Sequence, residues 1–170
     1  MQHLIQHGAD VKAQDETRLT PLHLASSLGI PEIVQLMIEC GADVTSLDWT
    51  EQTPLHIASS WVSPKTVFLS IKHRAYVMDQ NAISYLPLNS TFLEKTGTIR
   101  MLIDHGADVT AQDETRSTPL HIASAMGIIE TVRLLIEHGA DITARDVHCM
   151  TPLHMASSWV SGESMQFLMQ

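Results

Sequence analysis

Aromatic side chains are scarce in this sequence: they make up 5% of its residues, whereas hydrophobic residues in total make up 44%. Any folded core must therefore be built mainly from aliphatic side chains and alanine. The apolar content is that of a folded protein with a real core, which argues against a chain that is disordered throughout.

Cysteine is almost absent, and neither a long apolar run nor a secretory leader is visible. The two cysteines, Cys40 and Cys149, lie far apart and form no CxxC pattern. This usage is typical of reduced thiols in an intracellular compartment. Because no stretch has the length and hydrophobicity of a membrane span, we expect a cytoplasmic or nuclear protein with no membrane partner.

Positive charge is also in short supply. Ten Lys and Arg residues stand against 19 Asp and Glu residues, and the formal net charge is −9. Such a balance argues against nucleic acid or an anionic membrane surface as the main partner. The segment 62–100 is the exception, since its five basic residues outnumber its two acidic ones.

Motifs of catalysis and cofactor binding are missing as well. The sequence has no phosphate-binding glycine loop, no nucleophile elbow and no HExxH motif. His23 and Ser26 recur as HxxS in the other units of a repeat, so they are not interpreted as a catalytic pair. His3 and His7 have a spacing that zinc can use, but no carboxylate or cysteine supports them. We predict no catalytic residue, no metal and no cofactor.

What the sequence does contain is an internal repeat. The tetrapeptide TPLH begins at Thr20, Thr53, Thr118 and Thr151. The first and last intervals are equal, and the middle one is a single position short of two such periods. This spacing predicts a worn, that is degenerate, unit from which one residue has been deleted. Aligning Thr20 with Thr118 also superposes the first two of these units on the last two. A block of three units has therefore been duplicated, as happens when repeat arrays grow.

Each unit contains two short segments with a helical pattern of apolar residues. In the first unit Pro21 follows a potential capping residue, Thr20, and Gly29 and Gly41 stand where the two segments end. Proline is tolerated in the first helical turn, and glycine readily adopts the left-handed conformation that ends helices. Helices of this length are unstable alone, so neighbouring units must stack against them.

These units resemble the ankyrin repeat, most clearly in TPLHLASSLGIPEIVQLMIECGADV (20–44) and TPLHIASAMGIIETVRLLIEHGADI (118–142). The resemblance covers nearly the whole chain. It implies an all-α solenoid of stacked helix-turn-helix units with β-hairpin or extended finger loops. It also implies that the histidines of the TPLH motifs are structural and bridge a threonine and nearby main chain.

We expect one domain, 1–170, with the worn unit at its centre. Its parts are a half-unit at 1–19, units at 20–52 and 53–85, a degenerate unit at 86–117, a unit at 118–150 and a truncated unit at 151–170. The degenerate unit opens with LPLN, which lacks the capping threonine and the histidine. Because losses in one unit weaken two interfaces, fraying is expected first around residues 74–97. In the terminal sequence MQFLMQ, the residues Phe167, Leu168 and Met169 are expected to be either exposed or engaged in self-association through an uncapped end.

The resemblance also implies a recognition surface on the concave face, formed by finger tips and the exposed ends of the first helices. Glu16 and Glu114 fall on this face. The partner-binding residues that we predict on it are Trp49, Trp61, Trp159, Gln52, Leu28, Met126, Arg145, His148 and Met150. Tryptophan on a solvated surface is typical of a partner contact. Trp61 and Trp159 could instead fold down over the helix turn.

One position departs from the family pattern in every well-formed unit. Arg18, Glu51, Arg116 and Cys149 stand where the family has a glycine shortly before TPLH. The finger tips are therefore expected to be stiffer or differently turned than usual.

We predict a non-catalytic module that binds a protein partner. Two alternatives stay open. The block duplication and cut ends favour a sensor or oligomerisation array of a larger signalling protein, and the worn central unit favours a decayed fragment without independent function.

Overall fold

The computed structural model describes residues 2–60 and 91–158 of the chain. Trp61, Trp159, the terminal MQFLMQ sequence and most of the stretch expected to fray lie outside the described residues. The described residues form helices and turns and no strand. The helices are α1 (Gln2–Gln6), α2 (Pro21–Leu28), α3 (Pro31–Glu39), α4 (Pro54–Ala58), α5 (Thr91–Asp104), α6 (Pro119–Met126), α7 (Ile129–Glu137) and α8 (Pro152–Ser158).

The first helix of each unit begins at a threonine cap followed by proline, as predicted. The Thr20 side chain accepts a hydrogen bond from the His23 N–H, and the Thr20 N–H donates to His23 Nδ1 at 3.2 Å. Thr53 and Thr118 cap α4 and α6 in the same way. Each reciprocal pair satisfies main-chain donors that a helix start leaves unpaired, and it thereby sets where the helix begins.

Glycine ends the helices at the predicted places. Gly29 and Gly127 follow α2 and α6 with φ of 69° and 70°, in the left-handed region. Gly41 has φ of 88° just after α3. These values favour glycine because a Cβ atom in this region meets the following carbonyl oxygen.

The core is aliphatic, as the composition predicts. In the described residues it consists of leucine, isoleucine, valine and alanine with one methionine. Corresponding positions of successive units supply its most buried members: Leu22, Leu55 and Leu120 from first helices, and Val34, Ile99, Val132, Leu102 and Leu135 from second helices. Most of these helices have nine residues or fewer. Burial between neighbouring units therefore holds them.

The finger loops are turns organised by an aspartate. We number the fingers 1 to 4 in chain order, at residues 15–19, 48–52, 113–117 and 146–150. In finger 1, Asp15 Oδ1 accepts hydrogen bonds from the N–H groups of Thr17 and Leu19 at 2.8 and 3.0 Å. The same pattern recurs at Asp48, Asp113 and Asp146. These bonds take main-chain donors that a strand ladder would need, so the described fingers are not β-hairpins.

The unit that starts at Thr53 is completed by α5. This helix packs against α4 and lies beside the second helices α3 and α7. Its Ile99 and Leu102 are fully buried, and they take the places that Val34 and Met37 have in α3. The helix pair α4–α5 therefore forms one layer of the stack, between α2–α3 and α6–α7.

This stacking order differs from the predicted one. Units at 53–85 and 86–117 would put a whole unit between finger 2 and finger 3. Instead, the Glu114 N–H donates to the Thr50 carbonyl at 3.0 Å and joins the two fingers directly. The long interval between Thr53 and Thr118 is therefore not two stacked periods with one deletion. The boundary between residues 85 and 86 lies outside the described residues and stays a prediction.

Candidate functional site

The four fingers lie side by side along the solenoid. One main-chain hydrogen bond of 2.9 to 3.0 Å joins each finger to the next. The donors are the N–H groups of Trp49, Glu114 and Val147, and the acceptors are the carbonyls of Thr17, Thr50 and Thr115, respectively. Residues at matching places in successive fingers therefore form rows that run along the stack.

Buried histidines fix each finger to the unit before it. The Nε2 atoms of His23, His56 and His121 lie 3.1 Å from the carbonyls of Gln52, Ser117 and Met150, respectively. In each histidine Nδ1 accepts the N–H of the capping threonine. Because a carbonyl oxygen can only accept, Nε2 must carry the proton and the ring is neutral. The structural role predicted for these three histidines is confirmed.

Burial lowers the pKa of His23 and of His56 below the ordinary histidine value, because removal from water disfavours the imidazolium. The hydrogen bond to the Gln52 carbonyl partly offsets this effect at His23, and the bond to the Ser117 carbonyl does so at His56. Neutral imidazole is the form that both hydrogen-bond patterns require. The site is therefore held by two imidazoles whose neutral form is favoured by burial.

The finger tips keep a left-handed residue although no glycine is present. Arg18, Glu51, Arg116 and Cys149 have φ between 59° and 61°. Each N–H donates to the carbonyl of the finger's aspartate, three residues earlier. The aspartate turn therefore holds a non-glycine residue in the left-handed conformation at each tip, and the expectation that these tips are stiffer or differently turned than usual stays a prediction. Non-glycine residues there carry a strain of roughly 1–2 kcal/mol each.

Two of the predicted partner-binding residues lie together on finger 2. Trp49 is 55% exposed at the tip. Gln52 is half-buried, and its Nε2 donates to Asp113 Oδ2 at 3.3 Å while its carbonyl accepts from His23. Gln52 therefore also has a structural role between fingers.

The other predicted residues lie further along the face. His148 is exposed in finger 4, Arg145 is exposed just before it, and Met150 is half-buried. Leu28 and Met126 are half-buried at the ends of α2 and α6. The finger-4 group is separated from Trp49 by finger 3, so these residues do not form one cluster with Trp49.

The predicted binding set left out three exposed residues around Trp49. Leu47 is 37% exposed just before finger 2. Glu16 and Glu114 are exposed, and they occupy in fingers 1 and 3 the place that Trp49 has in finger 2. The repeat register alone locates Glu16 beside Trp49. It does not do so for Glu114, which the predicted order of units puts two units away.

Other chemistry-bearing groups of the described residues are dispersed. No group of three or more His, Cys, Asp and Glu side chains in residues 2–60 and 91–158 could hold a metal ion. His7 Nδ1 lies 2.7 Å from the His3 carbonyl. Cys40 and Cys149 are free thiols. Across the same ranges no helix combines the length and apolar character that a bilayer crossing requires.

Comparison with known proteins agrees with this architecture. A family model for ankyrin repeats, in three copies, matches residues 1–81 and 91–170. No curated protein gives a significant match to the chain. The family match spans most of the sequence, and the described residues form the stacked, capped helix pairs and projecting loops that the repeat pattern predicts. The chain belongs to the ankyrin-repeat family.

Proposed function

We propose that this ankyrin-repeat chain is a non-catalytic module that binds a protein partner across the face made by its finger tips and first-helix ends. Ankyrin repeats generally mediate protein–protein interaction, but the fold names no specific partner. The observation that carries the proposal is the exposure of Trp49 at the tip of finger 2. Large aromatic side chains that lose water on binding dominate the energetics of most interfaces.

The main chain around Trp49 is already fixed in the free protein. Its N–H donates to the Thr17 carbonyl, and the carbonyl of Thr50 accepts from Glu114. Asp48 Oδ1 accepts the N–H groups of Thr50 and Gln52 at 2.8 and 2.9 Å. A partner therefore meets an aromatic residue whose backbone needs little further ordering, which reduces the entropic cost of binding.

The remaining predicted residues extend this proposed surface. Arg145 and His148 supply a polar rim at finger 4, and Leu28 and Met126 supply apolar contacts at the helix ends. Trp61 and Trp159 are kept as proposed anchors on the sequence argument alone. Reduced thiols at Cys40 and Cys149 support a cytoplasmic or nuclear setting.

The test is a selection with displayed protein fragments from the organism that supplies the chain. The complete chain is used as bait, and dissociation constants of enriched fragments are measured for the wild type and for two alanine variants. Trp49→Ala should weaken binding by about 30-fold or more, the effect of losing an interface hot spot. Ile142→Ala is the matched control, because Ile142 is 47% exposed but lies outside the fingers.

Equal, small effects of both substitutions would remove Trp49 as an anchor. Circular dichroism of each variant shows whether the fold is intact. Failure to enrich any fragment with a folded bait would contradict the proposed function itself.

A further inference from the structure

Three exposed residues occupy one row across neighbouring fingers. Glu16, Trp49 and Glu114 each follow the finger's aspartate by one position. The Trp49 N–H donates to Thr17 in finger 1, and the Glu114 N–H donates to Thr50 in finger 2. Trp49 is therefore flanked on both sides along the stack by a glutamate, and we call these three residues the acidic–aromatic row.

We propose that the acidic–aromatic row docks an exposed segment of a partner protein that carries an apolar or aromatic side chain between basic residues. The inference rests on the proposed function and names the chemistry of its partner. The indole offers apolar contact at the centre, and the glutamates attract Lys or Arg on either side.

The row discriminates as well as attracts. A segment with Asp or Glu beside its apolar residue would bring like charges together at finger 1 and at finger 3. Such repulsion makes acidic segments bind more weakly than basic ones. Specificity depends on unfavourable interactions with the wrong partner as well as on contacts with the right one. The formal net charge of −9 favours approach of the same basic segments.

A second row of charges runs beside the first. Arg18, Glu51 and Arg116 occupy the left-handed positions of fingers 1, 2 and 3. At each of fingers 1 and 3 an arginine offsets one of two acidic residues, the aspartate and the glutamate, so each finger keeps a formal net charge of only −1. The preference for basic segments must therefore come from direct contact with the glutamates. Substitutions in one row or the other can separate the contribution of the glutamates from that of the arginines.

The sharpest test uses random dodecapeptides displayed on phage, selected against the complete folded chain. Enriched peptides should carry an aromatic or aliphatic residue with Lys or Arg on both sides. Exchange of those basic residues for glutamate in a synthetic copy should weaken binding by at least about tenfold. The double variant Glu16→Lys, Glu114→Lys should reverse this preference, whereas Arg18→Gln, Arg116→Gln should retain it.

The outcomes separate this inference from the function on which it rests. Enrichment of peptides without a basic bias, or a bias unchanged by the two lysine substitutions, overturns the inference. If Trp49→Ala still abolishes peptide binding in that case, the proposed function keeps its anchor. Absence of any enriched peptide also overturns the docking of a linear segment, while the selection with protein fragments tests the proposed function independently.

Discussion

His56 Nε2 lies 3.1 Å from the main-chain oxygen of Ser117, a residue 61 positions later in the chain. The corresponding histidine bonds of the neighbouring units span 29 residues. The additional residues that the His56 bond spans number about one repeat, and they lie between the end of α4 and the body of α5. The His56–Ser117 bond and the packing of α5 against α4 therefore connect residues 53–60 with the chain from α5 onward.

Removal of residues 61–92 should leave the solenoid intact. Joining Ser60 to Leu93 brings Thr53 and Thr118 to the same spacing in sequence as Thr20 and Thr53. Closing a chain segment of this length costs about 3 kcal/mol of entropy, so we expect an unfolding free energy equal to or above that of the wild type. Urea unfolding followed by circular dichroism measures it.

Deletion of residues 53–85 is the matched control, since it removes a similar length but takes α4 with it. It should cost several kcal/mol, because Leu55, Ala58 and the His56 bond are lost from the centre of the stack. If instead deletion of residues 53–85 lowers the unfolding free energy less than deletion of residues 61–92, the predicted units at 53–85 and 86–117 are the correct ones.

Acid should destabilise the array before its carboxylates are protonated. The folded-state pKa values of His23 and His56 lie below 6.5, so below pH 6.5 the unfolded chain binds more protons than the native one. Stability is therefore full above about pH 6.5 and falls as pH decreases, by up to about 1.4 kcal/mol per pH unit for each histidine.

Urea unfolding between about pH 7.5 and 5.5 measures this slope. The variant His56→Gln removes one titrating group and should reduce the slope, whatever it does to stability at neutral pH. A wild-type unfolding free energy that stays constant over this range would show that protonation does not oppose the histidine bonds.

Much of this fold is predictable from the sequence because its determinants are local. Thr20, Pro21 and Gly29 mark helix boundaries through capping and φ preferences that need no tertiary contact. The role of His23 follows from the family pattern. The pairing of α5 with α4 in one unit cannot be predicted in this way, because it depends on contacts between Ile99 and other units. In the sequence, the extra residues between Thr53 and Thr118 have nearly the length of one repeat and therefore look like a separate unit.

The candidate site is predictable in part for the same reason. Trp49 is identified by residue type and by its place in the repeat. Its position beside Glu114 depends on which fingers are neighbours. The order of units predicted from the sequence puts Glu114 one unit too far from Trp49. The left-handed finger tips are also missed, since the aspartate turn at Asp113 imposes that conformation on an arginine that does not favour it.

Glycine at a finger tip should stabilise the protein. Arg116 has φ of 59°, and its side chain strains a conformation that glycine adopts freely. After the greater chain entropy of glycine in the unfolded state is included, Arg116→Gly should raise the unfolding free energy by about 0.5–1 kcal/mol. Thermal and urea unfolding both report it.

Glu114→Gly provides the comparison for that substitution, because Glu114 is an exposed residue of the same finger whose φ is not positive. It should lower stability by a similar amount, since only the entropic loss applies there. Destabilisation by both substitutions would mean that the tip at Arg116 carries no strain.

Lys95 occupies a position where the neighbouring units have Ile30 and Ile128. Its Nζ donates to the Ser60 carbonyl at the end of α4, and its side chain packs against Gly29. Burial lowers the pKa of Lys95 to about 8. At neutral pH the native state therefore holds an ammonium group that loses hydration, and we expect Lys95→Ile to raise the unfolding free energy by about 1–3 kcal/mol.

The pH dependence of the unfolding free energy distinguishes the loss of hydration at the Lys95 ammonium group from better apolar packing as the cause. Between pH 8 and 10.5 the unfolded chain keeps the Lys95 proton that the native state releases, so wild-type stability rises with pH by up to about 1.4 kcal/mol per unit. Lys95→Ile lacks this gain, and its advantage should shrink towards pH 10. Exposed Lys12→Ile is the control for the loss of one lysine, and it should not raise the unfolding free energy. An advantage that stays constant across this range would instead assign the stabilisation to apolar packing beside Gly29.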